Sequence, residues 1–276
     1  TLLQTEEDMK AAFAQLKAMG YNEVQMSGYN FQIPPERIAA LLEEAGLHCG
    51  ATHVSFDWME EDVDRCIAYH KALKCEYAGT GSMPRHFVER GEEGFVDFAK
   101  RASKVAEKLQ DAGQHFLYHN HAFELAHYSK GRGLEILFNE TSPAFQFEID
   151  VFWIQAGGMN PIDWIHKVAG RMDVVHFKDM VYDPASKGPI FAEIGQGNLN
   201  WQGVIKACGQ IGARWHIVEQ DVCQGDPFEV DTGSARKPKP AQARAIAREE
   251  RRMRKAAPRG PEAALSAWER ALLDSL

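Results

Sequence analysis

Two kinds of segment alternate along the chain, and this alternation most constrains its fold. The helical kind carries apolar residues at three-and-four spacing: Met9, Phe13, Leu16 and Met19, then Ile38, Leu41, Leu42 and Ala45. Others follow at 63–73, 95–109 and 201–211. Gly20, Gly46, Gly113 and Gly212 close four of them, where a left-handed residue is expected. Pro34 and Pro35 open the second, a position at which proline costs little. Between the helices lie short apolar runs at 22–27, 48–56, 75–80, 115–120, 144–150, 173–178 and 214–220. Strands alternating with helices predict βαβ units and a parallel sheet. Seven strands are one short of the eight of a closed barrel, which typically takes about 250 residues. The pattern predicts an α/β fold: a TIM (β/α)8 barrel lacking strand 1, which would lie ahead of Thr1.

The far end does not continue the pattern. An eighth helix should cover the last strand, yet residues 230–267 contain no aromatic residue and alanine supplies 11 of the last 42. The reading is a barrel domain at 1–229 and a basic, Ala/Arg-rich extension at 230–276, helical or disordered, in place of the last helix. Charge divides near the same point. The chain has 31 Lys+Arg against 39 Asp+Glu, a net of −8. Residues 235–276 hold 11 and 5, a net of +6, and residues 1–234 hold 20 and 34, a net of −14. A body so acidic argues against nucleic-acid binding. No run approaches the ~18 apolar residues of a membrane span. The five cysteines are odd in number and form no C-x-x-C pair, which reads as reduced thiols in a cytoplasmic protein.

Strand parity then locates the chemistry. Side chains along a barrel strand alternate between the lumen and the helices. In 144–150, Phe145, Phe147 and Ile149 share one face; Gln146, Glu148 and Asp150 share the other and point inward. In 115–121, His119 and His121 come last on one face, His176 and Lys178 share a face, Glu219 shares one with Trp215 and Ile217, and His53 closes the second strand. Five strands thus deliver His, Asp or Glu to one rim, the C-terminal rim where barrel enzymes place their chemistry. Imidazole with carboxylate suits a divalent metal such as Mn²⁺, Co²⁺ or Zn²⁺. The "GQGN" at 195–198 lacks the third glycine of a dinucleotide fingerprint and reads as a turn or a loop lining the site.

At these residues the sequence resembles the sugar phosphate isomerase/epimerase superfamily, the xylose isomerase-like barrels. The resemblance lies in "YHNHAFEL" at 118–125, "FEIDVFWIQAGGMNPIDWI" at 147–165, "GRMDVVHFKDM" at 170–180, "EIGQGNLNW" at 193–201 and "WHIVEQD" at 215–221. It implies a metal held by one residue from each of four strands. Asp150, His176 and Glu219 match three ligands, and His119 or His121 stands where the family commonly has a glutamate. Glu124 matches a carboxylate that contacts substrate. His53 and Lys178 match further substrate contacts, and Trp153 replaces a polar one with an aromatic one. Ketose 3-epimerases resemble a design with a glutamate on each substrate face. This chain keeps only Glu219, which brings it nearer to inosose dehydratase-like and 3-keto-sugar-acting members.

The implied chemistry is metal-assisted proton abstraction next to a carbonyl, giving isomerisation or epimerisation of a keto-sugar or related polyol. Glu219 takes the proton, and His121 or Glu124 returns it. Protonation of a leaving hydroxyl gives a dehydratase instead. The implied partner is a small-molecule sugar, with neither membrane nor nucleic acid, and a homo-oligomer is compatible. Two rival classes are a truncated, non-catalytic barrel with exposed edges and an apurinic-site endonuclease-like nucleic-acid binder. The charge of −14 weighs against the second.

Overall fold

The computed structural model describes residues 3–223. The boundary at 229 and the extension at 230–276 lie outside the described residues. Seven strands form one parallel sheet: β1 (Glu23–Ser27), β2 (His48–His53), β3 (Tyr77–Thr80), β4 (His115–His119), β5 (Phe145–Asp150), β6 (Val174–Phe177) and β7 (Trp215–Val218). They pair in chain order, each with the next, and the sheet curls into a nearly closed barrel with β1 and β7 as its edges.

The helical pattern holds where it was strongest. Helices run over Glu6–Ala18, Pro35–Glu44, Val63–Leu73, Glu92–Asp111 and Trp201–Ile211. The first is fixed by a capping box between Thr5 and Asp8. The four glycines predicted to end helices all have positive φ. The run at 48–56 is shorter as a strand than its apolar content suggests, because Phe56 already belongs to a helix at Phe56–Glu61. Two antiparallel ribbons, Asp179–Asp183 with Gly188–Ala192 and His127–Tyr128 with Gly131–Arg132, add to the rim loops.

Alternation sorts the strand residues into two cores. Phe145, Phe147 and Ile149 are fully buried against the helices, together with Phe116, Tyr118, Val175 and Phe177. Each such side chain contributes about 1.5–3 kcal/mol of apolar burial. Inside the barrel, Ala51, Tyr77, Leu117 and Val174 pack with Trp215 and Ile217 as an apolar plug. Below the plug the Tyr77 hydroxyl donates to Asp173 at 2.9 Å and accepts from Arg214 at 2.8 Å. Above it the lumen turns polar.

Candidate metal centre at the barrel mouth

Four consecutive strands each place one donor at the mouth. His119 is the last residue of β4, Asp150 the last of β5, His176 the third of β6, and Glu219 follows β7 directly. One ligand atom from each lies within 4.8 Å of the others. His119 Nε2 is 3.1 Å from Asp150 Oδ2, and His176 Nδ1 is 2.9 Å from Glu219 Oε2. His121 is not in this group. Of the two histidines that the resemblance left open as the fourth donor, His119 is the one brought to the carboxylates.

The local fold orients these donors. Asp150 caps the short helix Val151–Ala156, its Oδ1 accepting from Trp153 N at 3.0 Å, so Oδ2 faces the site. The Asn120 amide oxygen accepts from Asp150 N at 3.0 Å and fixes the strand end. His119 Nδ1 donates to Gly81 O at 3.1 Å, which leaves Nε2 for the mouth. The donor set of two imidazoles and two carboxylates fits a divalent transition metal.

Lys178 stands among the same atoms. It is 1% exposed, and its Nζ lies 3.0 Å from Asp150, 2.6 Å from Glu219 and 3.2 Å from Asp221. It also lies over the Trp153 and Phe191 rings. Burial works against its charge, but Asp150 and Glu219 raise its pKa, so it is an ammonium. Burial likewise opposes the Glu219 carboxylate, yet His176 and Lys178 hold its pKa far below the usual range. For His176, burial favours the neutral ring, but Glu148 and Glu219 lift its pKa to about 10.

The other expected site residues take distinct places. The His121 ring stands 4.9 Å from that of His119 and 5.2 Å from that of Trp153. Burial, then the charge of His119, lowers its pKa to about 4, so it is neutral. His121 Nδ1 and Trp153 Nε1 are buried without a partner, as groups awaiting a polar ligand would be. Glu124 is fully buried behind the site. Its oxygens accept from the Tyr118 hydroxyl at 2.8 Å and from His121 N at 2.9 Å, and burial raises its pKa to about 8. It supports the His121 loop. His53 lies deeper, its Nε2 donating to Glu148 Oε2 at 2.5 Å. Beside His53 opens a cleft of about 690 Å³ lined by Ser55, Thr80, Ser82, Arg85 and His86.

Gln25, Asn120, Glu148 and Asp179 were not anticipated as site or support residues. Asp179 accepts from the backbone N–H groups of Gly195 and Gly197 and from Trp201 Nε1, at 2.7–3.0 Å, and so ties down the loop containing "GQGN". A Cβ at Gly197 would come within 2.3 Å of both Asp179 Oδ1 and Met180 O, so only glycine fits that approach.

No curated protein matches the sequence. A solved sugar phosphate isomerase/epimerase from Parabacteroides distasonis ATCC 8503 is similar at 22% identity with a TM-score of 0.71, over 84% of this chain and 91% of that one. A D-allulose 3-epimerase from Methylomonas sp., in complex with D-allulose, is similar at 14% and 0.60, over 84% and 82%. The probable 3-DHS dehydratase AsbF from Bacillus anthracis is similar at 12% and 0.61, over 83% and 94%. At such identities the likeness is one of fold. The family model of the xylose isomerase-like TIM barrel matches residues 13–258. The chain belongs to the xylose isomerase-like TIM barrel family.

Proposed function

We propose that the protein is a metal-dependent sugar isomerase or epimerase acting by proton abstraction next to a carbonyl. The observation that carries this reading is the convergence of His119, Asp150, His176 and Glu219 from four adjacent strands on one point of the mouth. These four residues would hold a divalent metal, which supplies Lewis-acid polarisation of a substrate oxygen when bound. The metal's identity among Mn²⁺, Co²⁺ and Zn²⁺ is left open by the donor set.

The chain's own groups divide the remaining work. Glu219 is ionised and the His121 imidazole is neutral, so both can accept a proton. Lys178 is the cation beside them and can donate a hydrogen bond to a substrate oxygen. Trp153 offers an apolar face against which a sugar ring can lie. Glu124 positions His121 through the backbone bond to its N–H.

Dehydration of an inosose or 3-keto sugar is the second reading, and Lys178 favours it. An ammonium held at the mouth can hydrogen-bond a departing hydroxyl oxygen and offset the negative charge it develops. Incubation with Mn²⁺ and a panel of keto-sugars and inososes in D₂O, followed by NMR, separates the two. Isomerisation or epimerisation shows solvent deuterium at one carbon with the carbon skeleton and hydroxyl count intact. Dehydration shows loss of a hydroxyl. No exchange with any substrate would count against both.

A further inference from the structure

Below the mouth a second set of polar residues spans the lumen. Gln25 from β1, His53 from β2, Glu148 from β5 and His176 from β6 meet there. His53, Glu148 and His176 also form a cluster of metal-competent atoms. Their spacing, however, is that of shared protons. His53 Nε2 to Glu148 Oε2 is 2.5 Å, and His176 Nε2 to Gln25 Oε1 is 2.5 Å.

The arrangement dictates where His176 carries its proton. Two acceptors face its Nε2: Gln25 Oε1 at 2.5 Å and Glu148 Oε1 at 3.2 Å. The Gln25 amide cannot turn to present a donor instead. Its Nε2 is committed to Glu148 Oε1 at 2.7 Å. Glu148 is in turn held by His53 from the other side. Nε2 is therefore the nitrogen that keeps its proton when a metal would displace the other, and Nδ1 is the atom that faces Glu219 and Asp150, at 2.9 and 3.9 Å.

The geometry points to Glu148, with Gln25, as a positioning residue that sets the His176 tautomer and makes its Nδ1 the metal-ligating atom. The inference rests on the metal reading given above. A carboxylate behind a ligating imidazole fixes ring orientation and raises the basicity of the ligating nitrogen. Glu148 does both from inside the barrel without entering the mouth. His53 belongs to this support as the residue that orients Glu148.

Calorimetric titration of the full chain with Zn²⁺, alongside Glu148→Gln and Gln25→Leu, tests this. Both changes should weaken Zn²⁺ binding, Glu148→Gln by about 10–100-fold and Gln25→Leu by less, with cooperative thermal melting retained. In the Zn²⁺-loaded wild type, ¹⁵N NMR of histidine should show His176 protonated at Nε2. Binding within about twofold of wild type in both variants would overturn the inference, as would a proton on Nδ1 or two ions per chain. If Glu148→Gln fails to fold, the Gln25→Leu affinity and the wild-type tautomer decide it. A wild type that binds no Zn²⁺, Mn²⁺ or Co²⁺ removes the metal reading and this inference with it. A wild type that binds while the variants are unaffected removes this inference alone.

Discussion

Lys178 Nζ lies 2.6 Å from Glu219 Oε2, so a fixed cation already leans on one of the four donors assigned to the metal. It leans on a second, Asp150, at 3.0 Å. A bound divalent ion and this ammonium compete for the same carboxylate charge. Lys178→Met should therefore tighten metal binding several-fold while lowering turnover by roughly 10²-fold or more. Without metal the same variant should lose about 3–5 kcal/mol of stability, because Asp150 and Glu219 lose a buried counter-charge. Metal titration, steady-state kinetics and denaturant unfolding measure the three effects. Weaker metal binding with unchanged turnover would contradict the assignment.

The loop at 193–201 should depend on Asp179. Gly197→Ala places a methyl against Asp179 Oδ1 and Met180 O, neither of which can swing away freely. Overpacking of this kind costs about 1–3 kcal/mol. Asp179→Ala should cost at least as much, since the Gly195 and Gly197 N–H groups and Trp201 Nε1 lose their acceptor. Thermal melting followed by Trp fluorescence checks both. A melting temperature unchanged in Gly197→Ala would show that the loop is held some other way.

Much of this site was legible because strand parity is a local property. Once Phe145, Phe147 and Ile149 are set against helices, Glu148 and Asp150 must enter the lumen, and the same logic placed His119, His176 and Glu219. Parity does not say which inward residues meet. Gln25 lies 151 residues from His176 and 123 from Glu148, and only barrel closure brings them together. Glu148 could be recognised as inward, yet its partner His53 stands on another strand. The helices Gly133–Glu140 and Val151–Ala156 were hidden for a different reason. Both are short, and the second, "VFWIQA", is apolar on nearly every side, so no helical period shows. Tyr118, whose hydroxyl holds Glu124, reads in sequence as an ordinary strand aromatic.

His70 gives the fold a pH dependence that can be isolated. It is fully buried and neutral, with Nδ1 donating to Cys66 O at 2.8 Å and Nε2 accepting from the Thr52 hydroxyl at 2.8 Å. Burial lowers its pKa to about 4 against 6.5 for the ordinary group. Between those values the unfolded chain binds the extra proton, so stability rises with pH there. The contribution is complete above 6.5 and is lost as pH falls toward 4. It amounts to about 3 kcal/mol at most. The difference in unfolding free energy between wild type and His70→Gln should shrink by that order from pH 7 to pH 4. A difference constant to about 0.5 kcal/mol would contradict the assignment.

The central claim is that His119, Asp150, His176 and Glu219 form one metal centre. Inductively coupled plasma mass spectrometry of the purified chain, after equilibration with Mn²⁺ and gel filtration, tests it most directly. The account predicts about one ion per chain in the wild type, and loss of most of that ion in both Asp150→Asn and His176→Ala. A wild type that retains no ion would contradict it. So would variants that keep the full metal content of the wild type.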